Sequence, residues 1–312
     1  MSRGSDAQQT PVAAGIDLGG TKIEAQVYDS AWRLIDRHRI ETPRDYDALV
    51  TAVAAQIDWA TDKAGAVPVG ISAAGLINPA TGLALTANLP ATGKPFRKDI
   101  EAASGRSVAF LNDCRAFTLS EARFGAGRGA EVVAGLILGT GVGGGLSVGG
   151  RLVQGPSSVG GEFGHYAAPA HLVLRHGLPV MGCGCGRTGC IETLVSGPGL
   201  TRVAERITGR HLSPPQIAAD RHGDPKVQAA WQVWCDLVAE LLQTLITVAD
   251  PDIVVLGGGL SQIDGVERDI AASLALAGLK DFALPSVVLA EGGDASGARG
   301  AAYAAWQEAG HG

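Results

Sequence analysis

Three thiols within eight residues, Cys183, Cys185 and Cys190, are the densest cluster of chemically distinctive side chains in the sequence. Zinc takes four soft ligands in a tetrahedron, and thiolates completed by one imidazole suit it. The candidate fourth ligand is His165, in Gly161-Glu162-Phe163-Gly164-His165; His171 and His176 stand nearer but in an apolar, helix-like stretch. The alternative is a set of reduced structural cysteines holding no metal. A closed Cys3His site leaves no position for water, so the ion expected is a structural Zn2+. It would pin the loop bearing Glu162 to the one bearing Glu192.

Asn112-Asp113 follows the apolar run Val108 to Leu111 and precedes a helix-like segment, Arg115 to Ala122. That places Asp113 at the carboxyl edge of a strand, where sites of open α/β sheets are built. Asp is equally a favoured helix N-cap, and the residue pattern leaves both readings open. Phosphoryl transfer needs neutralised phosphates, positioning, and a carboxylate to accept a hydroxyl proton; Asp113 can supply the last. Glu162 and Glu192 are then available to accept hydrogen bonds from further hydroxyls. Glu121 reads as a solvated helix charge, and Cys114 and Cys235 as buried fillers.

Three glycine loops complete the set. Gly19-Gly20-Thr21-Lys22 joins the strand-like runs Val12 to Leu18 and Ile23 to Val27, with Asp17 just ahead of the turn. Gly139-Thr140-Gly141 lies between Val132 to Leu138 and Gly144 to Val148, and Gly257-Gly258-Gly259 ends the strand Ile253 to Leu256. Hairpin turns of this kind present backbone N–H groups as anion-binding concavities. Two facing each other across a cleft, each with a hydroxyl, would clamp a polyphosphate. Gly139 to Gly144 also satisfies G-x-G-x-x-G, but a dinucleotide fold requires a helix to start there, and Leu146 to Leu152 continues as strand and hairpin. No G-x-x-x-x-G-K-[ST] loop occurs.

The elements that must position these residues alternate. Leu49 to Ala64 has helical spacing, Val67 to Ala73 reads as a buried strand, Val227 to Ala249 as a long helix, and Ala298 to Glu308 as a final helix. Alternation in both halves gives an α/β class, and the repeated strand-turn-strand glycine loop favours two related lobes with a cleft between them. At 312 residues, 46% hydrophobic and 18% charged, the chain can bury two cores. A net charge of -6 argues against nucleic acid or an anionic membrane as the main partner. No uninterrupted apolar run of spanning length and no signal-like start are present, so a cytoplasmic protein is expected. The 45 glycines, about twice the usual share of roughly 7%, cluster in loops after apolar runs, a distribution that suits backbone approaching a ligand closely.

Together, Gly15-Ile-Asp-Leu-Gly-Gly-Thr-Lys22, Asn112-Asp113, Leu138-Gly-Thr-Gly-Val-Gly-Gly-Gly145, Gly161-Glu-Phe-Gly-His165, Cys183 to Glu192 and Asp250-Pro-Asp-Ile-Val-Val-Leu-Gly-Gly-Gly259 resemble the ROK family of sugar kinases and repressors. The resemblance runs from Ala13 to Trp306. It implies an actin-like (ribonuclease H-like) fold of two lobes closing a central cleft on a sugar and ATP. Residues 1–11 would be a disordered tail, 12–117 the N-terminal lobe with a final helix 298–312 packing back on it, and 118–297 the C-terminal lobe with a zinc loop at 165–190. It implies Asp113 as general base, and Asn112, Glu162, His165 and Glu192 as sugar ligands, with Gly75 and Asn88 facing the sugar. Asp17 would handle Mg2+ through water. The short stretch ahead of the first glycine loop leaves no room for the repressors' helix-turn-helix, which favours an enzyme over a non-catalytic sugar sensor.

On the sugar, Ala87 to Pro95 and Phe117 to Ala122 resemble the N-acetylglucosamine kinases, whereas Ile77 to Gly82 and Ile191 to Gly197 are similar to the fructokinase and mannokinase branch; glucokinase is a further alternative. The partner expected is therefore a hexose or N-acetylhexosamine, and the resemblance also implies a homodimer. One departure stands out. The family reads Asn-Asp-Ala-Asn, and this chain reads Asn112-Asp113-Cys114-Arg115, placing a large cation close to the base.

Overall fold

The computed structural model describes residues 10–311, apart from the side chain of Asp294. The expected tail falls largely on residues 1–9, outside the described residues.

In chain order the elements are β1 (Pro11–Leu18), β2 (Lys22–Asp29), β3 (Leu34–Glu41), α1 (Tyr46–Ala64), β4 (Val69–Ala73), β5 (Gly75–Ile77), β6 (Ala84–Thr86), α2 (Phe96–Ser104), β7 (Ala109–Asn112) and α3 (Asp113–Phe124). There follow β8 (Val132–Leu138), β9 (Val142–Val148), β10 (Arg151–Leu152), α4 (Ala170–His176), α5 (Glu192–Val195), α6 (Gly197–Thr208), α7 (Pro214–Asp220) and α8 (Pro225–Ala249). The chain ends with β11 (Ile253–Gly257), α9 (Val266–Ala277), β12 (Ser286–Leu289) and α10 (Ser296–Trp306).

Two compact units form. The first takes the chain up to Ser120, Gln154–Val159, and the stretch from Gly292 onward; the second takes Glu121–Val153 and Gly160–Glu291. Each holds a five-stranded mixed sheet, in the orders β3-β2-β1-β4-β7 and β10-β9-β8-β11-β12. In both, three antiparallel strands are extended by two parallel ones. The two sheets thus share one plan, in line with the glycine loop that recurs in each half of the sequence.

In the first unit, α1 starts at Asp45, whose side chain accepts from Ala48 N–H at 3.0 Å and satisfies one orphan donor of the first turn. Its buried face, Leu49, Val53, Ile57 and Ala60, joins Ile16, Ile23, Ile71 and Ile100 in the core; burying each large aliphatic side chain is worth about 1.5–3 kcal/mol. α10 packs on β1 and β4 so closely that a Cβ on Gly15 would stand 1.8 Å from the Ala298 carbonyl oxygen, and one on Gly70 1.9 Å from that of Ala301. Its alanine-rich sequence follows from that approach. The helix ends at Trp306, short of the expected 298–312, and Gly310 adopts a left-handed φ of 87°. β4 likewise starts at Val69 rather than Val67, because Pro68 has no N–H for the ladder and contributes only its carbonyl, to Ala14 N–H.

The core of the second unit is built on α8. Trp234, Leu237, Leu241 and Leu242 meet Leu136, Leu138, Val254 and Leu256 of the sheet, and Trp234 Nε1 donates to the Val195 carbonyl at 3.0 Å. By length and composition alone α8 is apolar enough to cross a membrane. It carries Asp236 and Glu240, however, and most of its apolar side chains are inside this core. Glu121 departs from its expected solvated state: it is 0% exposed, and its Oε2 accepts from the backbone N–H groups of Ala126 (3.1 Å) and Glu291 (3.0 Å). Buried carboxylates are tolerated where such donors are aimed at them. Cys235 is a buried filler as expected, whereas Cys114 is half-buried.

Candidate active site

In the first unit, β1, β4 and β7 run parallel, and their registers bring Asp17 beside Ser72 and Ala73 beside Asn112. Asp17, Asn112 and Asp113 thus stand along one carboxyl edge. Asp113 opens α3, and both it (2.9 Å) and Asn112 (3.0 Å) accept from Cys114 N–H. Asn112, the residue ahead of α3, is therefore the N-cap, while Asp113 is the first helical residue and its Oδ1 contact is to the adjacent N–H. Asn112 Nδ2 also reaches the Gly75 carbonyl at 3.4 Å.

Asp17 accepts from Ser72 Oγ at 3.2 Å. Burial pushes its carboxyl up to about 6, reinforced by repulsion from Asp113 and opposed by the Ser72 hydrogen bond and the Lys22 charge. The start of α10 is moulded to it: a Cβ on Gly297 would stand 2.5 Å from Asp17 Oδ1. The hairpin beyond Asp17 is closed by Gly19 N–H donating to the Lys22 carbonyl at 3.0 Å, and Thr42 Oγ1 donates to the Gly19 carbonyl at 2.7 Å. Asn88, held at a left-handed φ of 60°, packs on this turn, where a Cβ on Gly20 would be 3.1 Å from its own. The first unit therefore gathers Asp17, Gly19, Gly20, Thr21, Lys22, Gly75, Asn88, Asn112 and Asp113.

The remaining expected residues gather in the second unit. One ligand atom from each of His165, Cys183, Cys185 and Cys190 lies within 4.8 Å of all the others. His165 Nδ1 is 3.7 Å from Cys183 Sγ, and Cys185 Sγ is 3.6 Å from Cys190 Sγ. Tetrahedral zinc with Zn–S of about 2.3 Å requires neighbouring sulfurs about 3.8 Å apart, so the set fits the ion. Burial pushes the Cys183 thiol up to about 12, while the Arg187 backbone N–H holds Cys185 below its usual value; a metal would have to displace the protons. His171 is excluded as the ligand: it lies on α4 with Nε2 3.4 Å from Glu240.

This cluster is continuous with the two acids. His165 Nε2 is 3.5 Å from Glu162 Oε2, and Cys183 Sγ is 3.5 Å from Glu192 Oε1. The other oxygen of Glu192 accepts from Val142 N–H at 2.9 Å, tying it to the Gly139-Thr140-Gly141 turn. β9 follows that turn as a strand, so the G-x-G-x-x-G match is not a dinucleotide loop. The turn is fastened by Gly197 N–H donating to the Gly139 carbonyl at 2.7 Å. Gly257 ends β11 beside Ile137, and Gly258, at φ 87°, approaches so closely that a Cβ would sit 2.5 Å from the Leu138 carbonyl oxygen.

Gly139, Thr140 and Gly259 line a cavity of about 920 Å³ whose other walls include Pro198, Pro214, Ala218 and Ile263. An apolar shelf beside glycine turns suits a flat heteroaromatic base with phosphates on the turns. The wall residues from α6, α7 and the 260–264 segment escaped the sequence reading. Only the two prolines after Ser213, a helix-start signal, hint at one of them.

The ROK family profile matches residues 13–308. An N-acetylgalactosamine kinase of Shewanella sp. (strain ANA-3) is 40% identical over 292 residues, covering 92% of this chain and 94% of the relative. An N-acetyl-D-glucosamine kinase of Escherichia fergusonii is 40% identical over 295 residues, covering 93% and 97%. Among solved structures, a ROK family glucokinase from Streptomyces griseus, in complex with glucose and AMPPNP, superposes with a TM-score of 0.74 at 29% identity, covering 95% of this chain and 99% of that one. The family match and the two relatives span nearly the whole chain, and the chain belongs to the ROK family.

Proposed function

We propose that the protein is an ATP-dependent sugar kinase that transfers the γ-phosphoryl group of ATP to the 6-hydroxyl of N-acetyl-D-glucosamine. One observation carries the sugar: two relatives, each 40% identical over more than nine-tenths of the chain, are kinases of N-acetylated hexosamines. Those two sugars differ at C4, so the acetamido group is the better supported feature. Fructose, mannose and glucose are the alternatives within the family.

In this reading Asp113 takes the proton of the 6-hydroxyl as its oxygen attacks the γ-phosphorus and ADP departs. Asn112, Gly75, Asn88, Glu162, His165 and Glu192 hold the sugar. The turns at Gly19–Lys22, Gly139–Gly141 and Gly257–Gly259 present N–H groups to the phosphates, and the base lies in the 920 Å³ cavity. Mg2+ carried with the nucleotide would neutralise phosphate charge, and Asp17 would orient its water shell. Zinc at His165 and the three cysteines would be structural. ATP and reduced thiols coincide in the cytoplasm, where we place the reaction, and we expect a homodimer.

The deciding experiment is a coupled ADP-release assay over N-acetylglucosamine, N-acetylgalactosamine, glucose, mannose and fructose. N-acetylglucosamine should give the highest kcat/KM. Fructose in first place would overturn the amino-sugar assignment, and absence of turnover with every sugar would revive a non-catalytic sensor.

A further inference from the structure

Arg115, the departure from the family's usual asparagine, does not project as a free cation beside the base. Its residue is only 7% exposed, and its Nη2 donates to the carbonyl oxygen of Ser158. Ser158 belongs to Gln154–Val159, a stretch that groups with the first unit although the chain on both sides belongs to the second. Arg115 therefore fastens this excursion to α3, two residues past Asp113. Gln154, Ser158, Arg115 and Asn112 together line a polar cavity of about 190 Å³, so the loop is seated against an expected sugar ligand.

The loop needs fastening. Ser158 has a φ of 54°, a left-handed conformation that a non-glycine residue keeps only when its surroundings enforce it. A hydrogen bond from a charged guanidinium is among the stronger single contacts available for that purpose. Downstream, Gly161 is anchored independently: its carbonyl accepts from Gly144 N–H at 2.8 Å, and at φ 97° a Cβ would lie 2.2 Å from the Gly144 oxygen. Only Val159 and Gly160 separate the two anchors, and Glu162 follows directly.

We propose that Arg115 is a positioning residue for the sugar site, acting through the Ser158 carbonyl to hold the 154–159 loop against Asn112 and to fix the approach of the chain to Glu162. This rests on the sugar-kinase reading. The Arg115→Asn variant restores the usual family residue but cannot reach Ser158; it should raise the sugar KM at least fivefold, leave the ATP KM unchanged and keep kcat within threefold. Arg115→Lys, which retains a charged donor, should recover at least half of the lost sugar affinity and is the informative variant should Arg115→Asn fold poorly.

A merely structural role would instead lower kcat and thermal stability while leaving the sugar KM alone; that result, or an equal rise in both KM values, overturns the proposal. Hydrogen exchange separates this from a failure of the sugar-kinase reading. Ser158 N–H, which donates to the Gly155 carbonyl at 3.2 Å, should exchange at least tenfold faster in Arg115→Asn, without any ligand. Unchanged exchange refutes the fastening whatever the enzyme phosphorylates.

Discussion

Replacing Asp17 by Asn should stabilise the ligand-free protein while impairing it as an enzyme. The Asp17 carboxyl is pushed from 3.8 to about 6, chiefly by burial. At 1.36 kcal/mol per tenfold change in proton affinity, the folded state disfavours the ionised form by about 3 kcal/mol. The side chain is half-buried, so water screens part of this, and about 2 kcal/mol is the working figure. Asn keeps an oxygen for Ser72 Oγ, now 3.2 Å from Oδ1, and removes the charge.

The sign follows from the folded carboxyl holding its proton more tightly than the unfolded one. The penalty is fully present above pH 6 and gone below 3.8, where both states are protonated. Urea unfolding without Mg2+ or nucleotide should therefore show Asp17→Asn more stable by about 2 kcal/mol at pH 7.5, with the gap closing toward pH 4. A variant no more stable than wild type at pH 7.5, or a gap indifferent to pH, would refute the account of Asp17 as a carboxylate held under electrostatic strain.

Two further outcomes test the site. Asp113→Asn keeps an acceptor oxygen for Cys114 N–H and leaves the Asn112 cap in place but cannot take a proton, so kcat should fall by about 10²–10⁴-fold, with sugar binding still measurable by calorimetry; sustained turnover would remove Asp113 as the base. Stripping zinc with a strong chelator, or Cys190→Ser, should lower sugar affinity by about tenfold or more, because His165 and Cys183 stand next to Glu162 and Glu192. Metal analysis finding no zinc in the purified protein would end the Cys3His assignment.

What the sequence disclosed was local. The thiols of the zinc cluster lie within eight residues, each glycine turn is a contiguous tetrapeptide or shorter, and Asp113 directly follows its strand. Such features carry their geometry in neighbouring residues. What it hid depends on distant pairing. Ser72 meets Asp17 only because β4 pairs with β1, the cavity beside Thr140 needs α6, α7 and the 260–264 segment together, and Arg115 finds its acceptor 43 residues away. The burial of Glu121 is hidden for the same reason. A charge on a helix face has no sequence mark of burial when its donors, Ala126 and Glu291, come from a turn and from the far end of the second unit.

In the proposed reading the sheet plan shared by the two units serves two kinds of chemistry in one chain. Both units use a three-strand meander followed by two parallel strands, and in both the parallel strands present their carboxyl ends along one edge. In the first unit that edge carries acids: β1 reaches Asp17, and β7 runs through Asn112 into Asp113. In the second, β8, the counterpart of β1, runs into Gly139, and β11, the counterpart of β4, ends on Gly257. Acids at a strand edge accept protons and orient cations, whereas glycines there bare the backbone N–H groups that anions seek. In the proposed reading one topology thus serves a hydroxyl-activating edge at Asp113 and phosphate-holding glycine turns, at Gly19 after β1 and at Gly139 after β8. In that reading an acid introduced at Gly139 would set a charge beside the phosphates and weaken nucleotide binding.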